Sequence, residues 1–134
     1  MSMSTVYFAH DRQESPTPRK LALELAGYKV TLFTNGVALL EALARELPDA
    51  VVLDVLLEGR NGFEICRTLR SKYQPASLPV VLSTAIYRSR AYRDEAESVG
   101  AQQYLLRPCE PEELATAVTA LVGERAGKPR DRAA

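Results

Sequence analysis

Short apolar runs alternate along this chain with longer segments whose apolar residues recur at helical spacing. Five runs have the length and the β-branched or aromatic content of strands, and they span residues 5–9, 29–33, 50–54, 80–84 and 104–106. The second run is half polar, which predicts a strand at or near the edge of the sheet. The third run is apolar until its last residue, Asp54, so it predicts a buried central strand that ends on a carboxylate.

Each run is followed by a segment that predicts a helix. The first helix should span Thr17 to about Ala26 and stop at Gly27, and the last should begin at Pro111. The apolar positions of the five helices are Leu21 and Leu25; Val37, Leu40, Ala44 and Leu47; Phe63, Cys66 and Leu69; Tyr92, Ala96 and Val99; and Leu114, Ala117, Val118 and Leu121. No periodicity continues from Gly123 onwards, so residues 123–134 are expected to form a linker or a frayed end.

Strands and helices alternate five times, with connections too long for hairpins. This pattern predicts an α/β fold in which helices cover both faces of a parallel sheet. Right-handed crossovers leave few ways to wind such a sheet, and the doubly wound order 2-1-3-4-5 of flavodoxin-like folds is the expected one. We therefore expect one domain over residues 1–122 and a flexible tail over residues 123–134.

Composition and charge narrow the functional classes. The 134 residues are 46% hydrophobic and 25% charged, and 17 basic residues balance 17 acidic ones, which argues against a nucleic-acid-binding surface. No apolar run approaches the roughly 20 residues of a membrane span, and the first residues lack the pattern of a signal peptide. A cytoplasmic location without membrane contact is therefore expected. The two cysteines, Cys66 and Cys109, lack metal-ligand spacing, and both are expected to be reduced.

Polar residues stand at the ends of four of the predicted strands. His10 and Asp11 follow the first strand, and Asp54 ends the third. Thr84 and Arg107 end the fourth and the fifth. Because the carboxyl ends of parallel strands meet at one edge of a sheet, these side chains should lie together.

This group of side chains has a definite chemistry. Two carboxylates close together favour a hard divalent cation such as Mg²⁺, which keeps coordination positions free for water and phosphate. A carboxylate beside that metal can attack a phosphoryl donor and form an aspartyl phosphate. A hydroxyl and a fixed cation, here Thr84 and Arg107, can then stabilise the charge that develops.

The residues from Thr5 to about Val122 resemble a response-regulator receiver domain, the phosphoacceptor module of two-component signalling. The matching positions are Asp54 with Gly62 eight residues later, Phe63 to Arg70, Pro79 to Ala85, Gly100 and Ala101, Tyr104 to Pro108, and Glu113 and Leu114. The resemblance implies a phosphoprotein in a phosphorelay rather than an enzyme. It also implies two partners, a histidine kinase or phosphotransfer protein and a downstream effector protein.

The resemblance also implies a role for each site residue. Asp54 would be the phosphoacceptor, and Mg²⁺ would bind to Asp11, Asp54 and the carbonyl of Leu56. Thr84 would supply the hydroxyl that follows phosphorylation, and Tyr104 would be the aromatic residue whose rotamer follows it. The peptide bond between Arg107 and Pro108 is expected to be cis.

Three positions depart from the family pattern. His10 replaces the first of two paired acids, Arg107 replaces a lysine, and Glu58 replaces a proline. His10 removes one negative charge, so Mg²⁺ affinity should be weak, and a protonated imidazole would weaken it further. Arg107 keeps the positive charge but presents a planar fork in place of a compact ammonium.

Two functions for a receiver domain remain open at this point. One is a phosphorylation switch that uses Asp54, and the other is an atypical receiver that binds proteins without phosphorylation. A third possibility, a flavodoxin-like enzyme or nucleotide-binding protein, is disfavoured because no glycine-rich phosphate loop follows the first strand.

Overall fold

The five apolar runs form one parallel sheet, as predicted. The computed structural model describes residues 3–125. Its strands are β1 (Ser4–Ala9), β2 (Tyr28–Phe33), β3 (Ala50–Asp54), β4 (Val80–Thr84) and β5 (Gln103–Leu106). Its helices are α1 (Thr17–Leu25), α2 (Gly36–Arg45), α3 (Gly62–Arg70), α4 (Arg90–Ser98) and α5 (Pro111–Arg125). The strand order is β2-β1-β3-β4-β5, which confirms the predicted topology and the edge position of β2.

The centre of the sheet is apolar on both faces. All five residues of β3 are buried, and in register Val52 lies between Phe8 of β1 and Val81 of β4. One hydrophobic cluster joins α2, α3 and α4 to one face of the sheet, and a second joins α1 and α5 to the other. The polar end of β3 is therefore held by a core that packs it from both sides.

The helix faces were predicted correctly for α3 and α5, in part for α2 and α4, and wrongly for α1. Of the positions predicted for α4, Ala96 and Val99 are buried, whereas Tyr92 is 39% exposed. In α1, Leu21 and Leu25 are 52% and 80% exposed, whereas Arg19, Ala22 and Leu23 are buried. Arg19 can lie on the buried face because a carboxylate in the interior neutralises it. In α2, Val37 and Ala44 are exposed, and the buried side chains are Leu39, Ala42 and Leu43.

The remaining expectations concern the later part of the chain. Phe63, Cys66 and Leu69 of α3 are buried, and the Arg107–Pro108 peptide bond is cis, as expected. Helix α5 continues to Arg125, past the predicted stop at Gly123, because a glycine on an exposed helix face weakens the helix without ending it. The rest of the predicted tail, residues 126–134, lies outside the described residues.

Two further observations bear on the class of protein. No helix in the described part of the chain is long and apolar enough to cross a membrane. Cys66 and Cys109 are both free thiols, as expected.

Candidate functional site

Asp54 lies at the centre of the polar cluster and is almost completely buried. Its side chain, at the carboxyl end of β3, is 1% exposed. The guanidinium of Arg19 binds it through two parallel bonds, Nη1 to Oδ1 at 2.6 Å and Nη2 to Oδ2 at 3.0 Å. The backbone N–H of Asp11 donates to Oδ2 at 2.8 Å. Such a two-pronged, charge-assisted pair is among the strongest interactions available to a carboxylate.

Arg107 approaches the same carboxylate from the end of β5. Its Nη1 donates to Oδ1 of Asp54 at 3.0 Å and to the hydroxyl of Ser83 at 2.5 Å. Its Nη2 donates to Oε2 of Glu14 at 2.8 Å. One planar guanidinium therefore bridges two carboxylates through two different nitrogens, whereas a lysine would have to contact both through a single ammonium.

Glu14 completes a charge-balanced group that we call the quartet: Glu14, Arg19, Asp54 and Arg107. Glu14 lies 2.8 Å from Arg107 and 3.7 Å from Arg19, so each acid contacts both arginines. The Arg19 guanidinium also lies over the ring of Phe8, 4.6 Å from its centroid. Two positive and two negative side chains thus compensate one another, with Glu14, at 35% exposed, on the solvent side of three nearly buried charges.

Asp11 and His10 lie beside the quartet but take different partners. The Asp11 carboxylate accepts a hydrogen bond from the Gln13 backbone N–H at 2.9 Å, which closes a turn. The buried His10 ring donates from Nδ1 to the carbonyl of Asp11 at 3.0 Å, and it lies 5.7 Å from the ring of Phe8. The partner of His10 is therefore a backbone carbonyl, not a carboxylate.

Glu58 turns outward to solvent. Its carboxylate pairs with Arg12 at 3.2 Å, and both side chains are more than half exposed, at 51% and 67%. Together with Asp11 and Leu56, this pair lines an open pocket of about 350 Å³. Exposed ion pairs of this kind stabilise a fold little.

Thr84 and Tyr104 are joined through one loop. The Thr84 hydroxyl, buried at the end of β4, accepts from the backbone N–H groups of Ile86 and Tyr87 at 3.1 and 3.2 Å. The Tyr104 hydroxyl donates to the Tyr87 carbonyl at 2.7 Å, and its ring stacks on Phe63 with centroids 6.1 Å apart. Both side chains thus hold the same residue of the loop after β4.

The side chains around Asp54, as they are arranged, do not fit Mg²⁺. Within residues 3–125, no three His, Cys, Asp or Glu side chains come together as metal ligands. A carboxylate offers about four lone-pair positions, and Asp54 accepts four hydrogen bonds from the described residues. The guanidinium of Arg19 therefore takes the positions on Asp54 that a metal would need.

The expectation that polar residues at strand ends lie together identified some of the site residues and missed others. The side chains of Asp54 and Arg107 meet as the sequence predicted, whereas Asp11 reaches Asp54 through its backbone N–H only. The side chains of His10 and Thr84 bond to backbone groups instead. Glu14 and Arg19 were not predicted, although Arg19 stands three and four residues before Ala22 and Leu23. A charged residue in register with a buried apolar stripe was the available signal.

Comparisons with known proteins agree with this fold. Residues 7–119 match the response regulator receiver domain model. The response regulator MprA of Mycobacterium leprae is 41% identical over 112 residues, which are 84% of this chain and 47% of that protein. The chain thus spans about half the length of the curated relatives that it matches.

Solved structures share the fold over nearly the whole chain. A response regulator from Chloroflexus aurantiacus has a TM-score of 0.81 at 30% identity, covering 91% of this chain and 99% of its own. The receiver domain of a Pseudomonas aeruginosa sensor histidine kinase, with magnesium coordinated in its active-site cleft, has a TM-score of 0.79 at 23% identity. It covers 91% of this chain and 99% of its own.

The family model and the mycobacterial relative place this doubly wound fold in the receiver class. This chain belongs to the response regulator receiver domain family.

Proposed function

We propose that this receiver domain accepts a phosphoryl group on Asp54 from a histidine kinase or phosphotransfer protein. The supporting observation is the position of Asp54, at the end of the central strand and beside two arginines. Phosphorylation would switch the binding of a downstream effector protein. The domain is then a substrate of signalling enzymes rather than an enzyme, and its expected location is the cytoplasm. Its zero net charge supports protein rather than nucleic-acid partners.

In the proposed reaction, one carboxylate oxygen of Asp54 attacks the phosphorus of a phosphohistidine donor. The phosphorus–nitrogen bond breaks, and the imidazole leaves with its electron pair and takes up a proton. Arg107 and the Ser83 hydroxyl lie where they can donate to the new phosphoryl oxygens. Because the quartet is neutral before the reaction, the negative charge added by the phosphoryl group would draw Arg19 and Arg107 away from their present bonds and towards the phosphoryl oxygens.

The signal would pass through Thr84. If its hydroxyl turned to donate to the phosphoryl group, Ile86 and Tyr87 would lose their shared acceptor. The Tyr87 carbonyl holds the Tyr104 hydroxyl, so a change in the loop would reach Tyr104 directly. Arg88 adds a second link, because its Nη1 donates to the Arg107 carbonyl at 2.6 Å. This loop supports a role for Thr84 and Tyr104 in switching.

Mg²⁺ on Asp11, Asp54 and the Leu56 carbonyl stays a prediction for this chain. A bound Mg²⁺ would supply positive charge to the phosphoryl oxygens. No step proposed here depends on it. The alternative function, protein binding without phosphorylation, is not favoured by the family comparisons.

The proposal is tested by measuring the intact mass of the protein after incubation with a small phosphodonor, with and without Mg²⁺. We expect wild type to gain one phosphoryl group and Asp54→Asn to gain none. Asp94→Asn is the matched control, because Asp94 is an exposed aspartate of α4, and it should behave as wild type. Uptake by Asp54→Asn, or no uptake by wild type under either condition, would refute the proposal.

A further inference from the structure

We propose that Arg19 and a divalent cation compete for Asp54, so that the guanidinium acts as a built-in latch against metal binding. The inference rests on the proposed function only in treating Asp54 as the reactive carboxylate. It assigns a role to a helix residue that lies outside the strand-end cluster. The observations that carry it are the occupancy of Asp54, the charge of the quartet and the way in which Arg19 is held.

The first observation is occupancy. Arg19 binds both oxygens of Asp54 at 2.6 and 3.0 Å, and neither bond leaves room for an ion between the two groups. A divalent cation needs at least one of these oxygens at about 2.1 Å, in near-octahedral geometry. The two cations therefore require the same lone pairs.

The second observation is charge balance. The quartet holds two acids and two arginines, so its net charge is zero without any metal. A divalent ion added to this group would be opposed by two guanidinium groups, with Asp11 as the additional carboxylate nearby. In a buried site this repulsion is screened much less than at the surface. Departure of Arg19 would remove one of the two positive charges.

The third observation is that Arg19 is held firmly. Its side chain is 9% exposed, and its guanidinium lies on the face of Phe8, 4.6 Å from the ring centroid. The cation–π contact and the two charge-assisted bonds to Asp54 favour this position, and together they offset the cost of removing the guanidinium from water. A cavity of about 190 Å³, lined by Arg19, Arg107, Glu14 and Ser83 among others, lies next to it. The latch therefore has space to open within the site.

The test compares divalent-cation binding in matched variants by calorimetry, with Mg²⁺ and Mn²⁺ as the probes. We expect Arg19→Gln to bind at least about tenfold more tightly than wild type, which corresponds to about 1.4 kcal/mol. Lys20→Gln is the control, because it removes one positive charge from the same helix, and Lys20 pairs only with Glu24 in the described structure. Its affinity should equal that of wild type.

Two further variants make the result specific. Asp54→Asn in the Arg19→Gln background should abolish the gain, which would place the metal on Asp54. If Arg19→Gln fails to fold, as judged by circular dichroism, Phe8→Leu tests the same latch, because it removes the ring that holds the guanidinium. It should tighten binding in the same direction, by a smaller factor.

Equal metal affinity in wild type and the folded latch variant would overturn the inference. So would an equal gain in Lys20→Gln, because the effect would then be one of overall charge. Phosphoryl uptake by wild type is measured separately, so the two proposals can fail independently. If wild type takes up a phosphoryl group on Asp54 but Arg19→Gln binds metal no more tightly, the latch alone is refuted. If Arg19→Gln binds metal more tightly but wild type takes up no phosphoryl group, the phosphoacceptor proposal alone is refuted.

Discussion

The phenol of Tyr104 lies partly buried between an aromatic ring and a backbone carbonyl. Burial raises its pKa from 10.0 to about 12, with smaller contributions from Tyr92 and Tyr87 and an opposing one from Arg93. The proton that it retains is the one donated to the Tyr87 carbonyl at 2.7 Å. Tyr104 should therefore remain a hydrogen-bond donor at pH values where an ordinary tyrosine has begun to ionise.

This pKa predicts a measurable difference in a spectrophotometric titration. We expect Tyr104→Phe to remove a phenolate component that appears above about pH 11, beyond the ordinary tyrosine range. Because the folded-state pKa is raised, the stability contributed by Tyr104 is fully present below about pH 10 and is lost as the pH approaches 12. Loss of a component centred at pH 10 in the variant would contradict the assignment.

At the residue scale, the sequence predicted those site residues whose positions are determined by the ends of strands. Asp54 and Arg107 are in contact because parallel strands end at one edge, and Thr84 ends the strand between theirs, where its hydroxyl bonds to the following loop. The partners of a long side chain are less predictable, because an arginine can reach several carboxylates. Glu14 and Arg19 join the site from a loop and a helix, and their roles depend on the tertiary fold.

At the scale of elements, Gly62 determines how closely α3 can begin against β3. A Cβ atom at this position would lie 2.5 Å from the Asp54 carbonyl oxygen and 3.0 Å from the Val55 Cα. The backbone N–H of Gly62 donates to the Val55 carbonyl at 2.8 Å, and this bond holds the start of α3 against the end of β3. The glycine thus fixes the backbone that carries Asp54.

Gly62→Ala should lower the free energy of unfolding by about 1–3 kcal/mol, the usual cost of overpacking. Gly123→Ala is the control, since a Cβ there meets nothing within 4 Å on α5. It should raise stability by up to about 1 kcal/mol, because alanine favours a helix. Chemical denaturation of both variants measures the difference. Equal shifts would mean that the contact with β3 carries no energetic weight.

The elements show where sequence reasoning reaches its limit. All ten were predicted in the right order, because hydrophobic periodicity reports their existence directly. The buried face of α1 was wrong, because Leu21 and Leu25 form a stripe as regular as that of Ala22 and Leu23. Which stripe packs inward depends on the side chains that the sheet presents to the helix. Here the Asp54 carboxylate binds Arg19, so the stripe that contains Arg19 is the buried one.

On the scale of the whole molecule, Arg70 ties together the end of the fold opposite Asp54. Its guanidinium donates to the carbonyls of Gly100 at 2.8 Å and Leu78 at 2.7 Å, and to the Gln102 side chain at 2.9 Å. Its bond to the Tyr73 carbonyl, at 3.3 Å, is longer. These partners lie in the connection between α3 and β4 and in the connection between α4 and β5, so one side chain joins two connections.

Arg70→Met should lower the free energy of unfolding by at least about 2 kcal/mol, because several partly buried acceptors lose their donor. Arg67→Met is the control: Arg67 is 65% exposed and pairs with Glu95, so its loss should cost under about 1 kcal/mol. Denaturant titration gives both values. Phosphoryl uptake should be unchanged in both, because neither arginine contacts the quartet, and a loss of uptake in folded Arg70→Met would contradict this separation.

The neutrality of the quartet has a consequence for inheritance. Replacing Asp54 alone leaves two nearly buried arginines without their shared carboxylate, a change that is strongly destabilising in proteins. Divergence by single neutral substitutions is therefore obstructed at Asp54 and at its buried partner Arg19. In descendants of this chain we expect a lineage that lost Arg19 to have acquired another cation for Asp54 in its place.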